Sequence, residues 1–113
     1  MFNKHNSDKY KPLLAGIGIK TLVYGDRTLL SEFQLAKDSQ LPRHFHIYEQ
    51  TGYLIAGRMR LHIGGKVYEV EPGDSWCIPA HMEHQAEILE DSIAIELFSP
   101  VREDYLPENL STR

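Results

Sequence analysis

The sequence predicts an all-β domain, an antiparallel barrel or sandwich made from one chain of 113 residues. Three observations carry that prediction. Apolar and polar residues alternate in short segments, Gly, Pro, Asp and Asn cut those segments at nearly regular spacing, and no long helical period competes. A chain of this length closes one hydrophobic core and is too short for two, so residues 1–113 read as a single domain. Residues 1–16 are expected to form an N-terminal extension or interface strand, and 100–113 a C-terminal tail.

Taken in order, the first candidate strand is 19–24, closed by the turn pair Gly25-Asp26. Strands at 28–36 and 44–49 follow, then 53–56 and 59–63, the latter ending at Gly64-Gly65. Strand 66–70 runs into Pro72-Gly73-Asp74, strand 75–78 into Pro79, and strands 85–89 and 93–98 flank Glu90-Asp91-Ser92. Glycine supplies positive φ at such turns, while Asp and Ser tie back to the local backbone. After Pro100 the polar run of Glu103, Asp104, Glu108 and Asn109 predicts a surface extension with one helical turn.

Composition narrows the function classes. Apolar residues make up 42% and charged ones 25%, which is ordinary for globular proteins and excludes disordered or fibrous classes. The net charge of -4 and scattered Lys and Arg exclude nucleic acid as a partner, since phosphate binding needs a concentrated positive surface. The one cysteine, Cys77, has no partner for an internal disulfide and is expected as a buried strand residue. Residues 1–12 are mostly polar with no apolar leader pattern, and no stretch approaches a membrane span. A cytoplasmic location with no membrane partner is the expectation.

The chemistry concentrates in a few residues. In His44-Phe45-His46 the period of two puts both imidazoles on one face of a strand, with Phe45 opposite. Gln50 lies four residues after His46, an even spacing that keeps it on that face, whereas the rival Glu49 points away. His84 arrives from a distant segment just after Ile78-Pro79. Neutral imidazole suits a divalent transition ion such as Zn, Ni, Fe or Mn. In the last strand Glu96 and Phe98 share a face opposite Ile93, Ile95 and Leu97, and Arg102 follows the Ser99-Pro100-Val101 bend. These residues either surround the open side of the metal site or leave Glu96 paired with Arg102 to fix the tail. Trp76, Tyr53 and Tyr68 read as packing or interface residues, and His5, His62 and His81 as surface or loop residues.

These positions carry a resemblance to the cupin family. Its first motif is met by His44, His46, Gln50 and Gly57, and its second by Gly73, Pro79 and His84. The resemblance implies a jelly-roll (double-stranded β-helix) barrel whose metal is held by His44, His46, Gln50 and His84. Gln50 stands where many cupins have glutamate, and His81 where the second motif usually has glycine. With three imidazoles and an amide as ligands, the ion keeps its formal charge and its Lewis acidity.

Tyr48-Glu49-Gln50 and the stretch Glu96 to Leu106 further resemble a branch of small cupins linked to pectin and alginate breakdown. That branch opens unsaturated monouronates, the products of polysaccharide lyases, into linear keto sugars. The resemblance implies catalytic roles for Glu96, Phe98 and Arg102, with Arg102 clamping a carboxylate and Glu96 moving a proton. The branch has aspartate at the position of Glu96. It also implies a small acidic sugar as substrate and a homodimer, with Leu13, Leu14, Ile17 and Ile19 adding a strand across a two-fold interface. A metal- or ligand-binding cupin without catalysis, and a cupin dioxygenase, are the competing readings.

Overall fold

The computed structural model describes residues 1–7 and 10–110. Eight strands make one antiparallel sheet: β1 (Lys11–Leu14), β2 (Ile17–Tyr24), β3 (Leu29–Leu35), β4 (Gln40–His44), β5 (Glu49–Ile63), β6 (Lys66–Val70), β7 (Ser75–Ile78) and β8 (His84–Ser99). A 3-10 turn (Glu103–Tyr105) and the short helix α1 (Pro107–Leu110) follow. The sheet order is β1-β2-β3-β8-β5-β6, with β4 on β8 and β7 on β5. None of the described helices is long and apolar enough to cross a membrane.

The two long strands close the barrel. β8 pairs through its first half with β4 and the end of β5, and through its second half with β3 and the start of β5. The sequence splits each long strand in two, at 57–58 and at 90–92, but the chain runs through both points as a bend. Register shifts between Leu54 and Met59 mark the bend in β5. There the inward positions change from Gln50, Gly52 and Leu54 to Met59 and Leu61, because the irregular pairing across the bend inverts the parity of everything after it. Gly57 sits at the bulge with φ +92, and a Cβ there would come within 2.1 Å of Ser92 Oγ. The crossing of β5 and β8 therefore demands glycine. Ser92 is buried and donates to Glu90 O at 2.7 Å, satisfying a carbonyl that the bend frees.

Inward-facing Ile19, Leu29, Phe33, Leu54, Ile88 and Phe98 fill the barrel. Ile17 and Ile19, offered by the sequence to a two-fold interface, lie in this core because the parity of β2 points them inward. β1 pairs with β2 of its own sheet, and Leu14 stays exposed. The segment after Pro100 keeps its polar residues at the surface, yet Tyr105 and Leu110 are buried and belong to the core. Burying a Leu of this kind stabilises by roughly 1.5–3 kcal/mol. The tail is thus fastened to the barrel, with Thr21 Oγ1 donating to Tyr105 O.

The expected strand 44–49 is absent. β4 ends at His44, residues 45–48 cross as a bend, and β5 begins at Glu49, because the chain passes here from the first half of β8 to its last residues. Cys77 is also corrected: it is exposed, since Trp76 and Ile78 alternate inward on β7 and force the residue between them out.

Candidate metal centre

His44, the last residue of β4, stands directly opposite His84, the first of β8. His46 lies in the following bend, where its carbonyl accepts the His81 N–H at 2.7 Å. His81 adopts a left-handed φ of 66, the conformation that glycine ordinarily takes, so the motif's geometry survives the motif's departure. The imidazole centroids are 4.1 Å apart for His44–His84, 4.9 Å for His46–His84 and 5.5 Å for His44–His46. One ring nitrogen from each of the three lies within 4.8 Å of the others.

The same device orients each ring. Nδ1 of His44 meets Pro42 O at 2.7 Å, Nδ1 of His46 meets Tyr48 O at 3.0 Å, and Nδ1 of His84 meets Met82 O at 2.8 Å. A carbonyl only accepts, so each Nδ1 carries the proton and each Nε2 keeps its lone pair. His84 Nε2 is buried without a hydrogen-bond partner among the described residues. Burial pushes the pKa of His84 down to about 4. Burial, and after it the nearby Arg102 charge, also lowers that of His46. Both are neutral at pH 7, the state that coordinates metal.

Gln50 completes the arrangement. Its Nε2 donates to Glu96 Oε2 at 2.7 Å, which turns its Oε1 to within 3.0 Å of His46 Nε2. With the His46 proton on Nδ1, two lone pairs face each other across that gap. A cation removes the conflict, so this donor set fits a divalent first-row ion.

The second constellation lines the same pocket, which holds His44, His46, Gln50, His84, Glu96 and Arg102 in its wall. Glu96 is 7% exposed. Burial pushes its carboxyl up to about 8, while the hydrogen bond from Gln50 works against that rise. Phe98 is buried with its ring edge-on to His46 at 6.0 Å. Glu96 and Phe98 share the inner face, as the sequence parity predicts, with Ile93, Ile95 and Leu97 on the outer one.

Arg102 reaches the pocket but does not pair with Glu96. Its Nε and Nη2 donate to the Asp104 carboxylate at 3.2 and 2.7 Å. Its guanidinium lies 3.9 Å from the Tyr105 ring centroid and 4.9 Å from those of Tyr48 and Phe98. Sequence reasoning missed Asp104 and Tyr105, whose contacts exist only because the 3-10 turn doubles back. It also left Trp76 as packing, although its inward parity beside Ile78 was the available signal. Glu49 is exposed, Tyr53 and Tyr68 are half-exposed, and His62 bonds Glu87 at 2.8 Å away from the pocket.

Comparison with known proteins agrees with this picture. Residues 31–99 match the cupin domain family. The pectin degradation protein KdgF of Dickeya dadantii (strain 3937) is 30% identical over 93 residues, covering 80% of this chain and 84% of that protein. The structure of KdgF from Halomonas sp. superposes with a TM-score of 0.88 at 28% identity, over 94% of this chain and 98% of the other. An RmlC-like cupin from Shewanella frigidimarina gives 0.87 at 24% identity over 93% and 95%, a likeness of fold alone.

Proposed function

The chain belongs to the cupin family, and from that premise we propose that it opens unsaturated monouronates into linear keto sugars. The observation that carries this reading is the meeting of Glu96, Arg102 and the three imidazoles in one pocket wall. Its likeness to two KdgF proteins, one described as a pectin degradation protein, supports the substrate class.

The substrate is a ring bearing a carboxylate, a hemiacetal and an enol ether. Arg102 binds the carboxylate through its Nη1/Nη2 edge, which remains available while Nε and the other side of Nη2 hold Asp104. Glu96 then accepts the hemiacetal hydroxyl proton as the ring C–O bond breaks, and returns a proton to the enol carbon as the ketone forms. No proton is gained or lost overall. A carboxyl whose pKa lies near 8 serves in both directions close to neutral pH. Phe98 and Tyr105 wall the site with apolar surface and keep water from the reacting bonds. His44, His46, His84 and Gln50 would hold a divalent ion, which supplies Lewis acidity towards the sugar's oxygens.

The test is to mix metal-loaded protein with lyase-generated unsaturated monouronates and follow the conjugated ultraviolet band. Enzyme-dependent loss of the band is expected. A stable band with metal bound would favour the non-catalytic cupin, for which Arg102 is simply the partner of Asp104. A cytoplasmic location and a homodimer belong to the same proposal. With Ile17 and Ile19 inside the barrel, a two-fold contact would fall to exposed apolar side chains such as Leu14, Tyr53 and Ile55. A monomeric mass at micromolar concentration would remove it.

A further inference from the structure

Trp76, Gly52 and Glu96 form one row across three strands. Gly52 of β5 pairs with Trp76 of β7 on one side and with Glu96 of β8 on the other. Directly paired residues face the same side of a sheet, here the inside of the barrel. The middle member has no side chain. A Cβ at Gly52 would lie 2.2 Å from Cε2 and 2.3 Å from Nε1 of Trp76, so the indole occupies the space that any other residue at 52 would fill.

Trp76 and Glu96 also line the same pocket. Yet Trp76 Nε1 is buried and has no hydrogen bond of standard geometry among the described residues. The unbonded donor and the carboxyl therefore share one row of the sheet and one pocket wall. A buried donor left in that state is costly, and the carboxyl beside it is the acceptor within reach. Gln50 holds Oε2 of the same carboxyl from the other side.

We propose that Trp76 is a positioning residue for Glu96: its indole N–H, admitted over Gly52, closes on the carboxyl oxygen that Gln50 does not hold. A carboxyl held at both oxygens cannot rotate, and it presents one fixed edge to the pocket. Alignment of that kind governs the rate of proton transfer more than it governs substrate binding. The inference rests on the uronate-opening reading only for the role of Glu96. A tryptophan present for packing alone would need the ring and not the N–H.

Trp76→Phe removes the donor and keeps an aromatic ring. Metal content is expected to stay unchanged, KM for an unsaturated monouronate to stay within about twofold, and kcat to fall about tenfold. Adding Trp76→Phe to Glu96→Gln should cost nothing further, because the group being positioned is already disabled. A second full loss in the double variant would overturn the proposal. A further readout needs no turnover. Trp76 is the only tryptophan in the chain, so its indole N–H gives a single amide-type resonance in the ¹⁵N-labelled protein. That resonance is expected to move when Glu96→Gln weakens its acceptor, and to stay in place for Glu87→Gln on the outer face. An indole resonance indifferent to Glu96→Gln overturns the proposal whether or not Trp76→Phe folds. If wild-type protein fails to open the uronate, the assigned role of Glu96 falls instead, and the resonance still decides whether Trp76 holds its carboxyl.

Discussion

The two ends of the pocket are built by different means. At the histidine end, each imidazole is oriented by a backbone carbonyl two residues away, at Pro42, Tyr48 and Met82. At the carboxyl end, Glu96 and Arg102 are held by side chains: Gln50 for the first, Asp104 and the Tyr105 ring for the second. Backbone orientation is local and survives substitutions elsewhere. Side-chain orientation depends on partner side chains, from β5 for Glu96 and from the turn after β8 for Arg102, so single changes to Glu96 or Arg102 should disturb chemistry while leaving metal binding intact. Gln50 links the two ends by its amide, with Oε1 facing His46 and Nε2 bonded to Glu96.

The largest effect should come from the histidine end. His84→Ala removes the buried Nε2 that has no other partner, and metal affinity should fall by at least the ~10²-fold known for losing a ligand's outer partner. Metal analysis after dialysis checks this. An undiminished metal content would show that the ion sits elsewhere and break the comparison at its root.

Next comes the carboxyl end. Glu96→Gln keeps the shape but removes the proton carrier, so turnover should drop by roughly 10²-fold with metal content unchanged. Joint loss of metal and turnover would mean that the two ends are not separable. Arg102→Lys keeps the charge but not the forked contact. It should raise KM for the uronate by roughly tenfold, the cost of about one charge-assisted hydrogen bond, again with metal retained. Kinetics at fixed metal loading test both variants.

The smallest effect is a pH dependence of stability in the metal-free protein, to which the two ends contribute with opposite sign. His84 has its pKa lowered from 6.5 to about 4, so its stabilising share is lost as pH falls through that window. Glu96 has its pKa raised from 4.5 to about 8, so the stability linked to its buried neutral form is lost as pH rises from 4.5 towards 8. Denaturation midpoints across pH should therefore decline on both sides, and Glu96→Gln should flatten the alkaline side and start the acid decline nearer pH 6.5, where Glu96 no longer offsets His84. An unchanged alkaline limb in that variant would remove Glu96 as its cause.

The legible parts of the molecule follow the same division. Alternation located β6 and β7 to the residue and foretold that Glu96 and Phe98 turn inward. Motif spacing anticipated the convergence of His44, His46 and His84, although the segment 45–48 reaches it as a bend rather than as the expected strand. The partner of Arg102 was not legible. Pairing with Glu96 was one of two readings offered for it, but Asp104, two residues on, captures the guanidinium once the chain turns at Glu103–Tyr105.

By itself, then, the sequence determined an all-β class and a set of imidazoles aimed at one point. Each of these depends on the direction of a side chain relative to its own backbone, which a period of two or a local turn specifies. Only the tertiary structure decided that β5 and β8 bend through the barrel instead of turning, that Tyr105 and Leu110 close into its core, and that Trp76 and Glu96 flank Gly52 in one row. The reason is register. Which strand lies beside which, and at what offset, is settled by the packing of the whole sheet, and no repeat along a single strand encodes it.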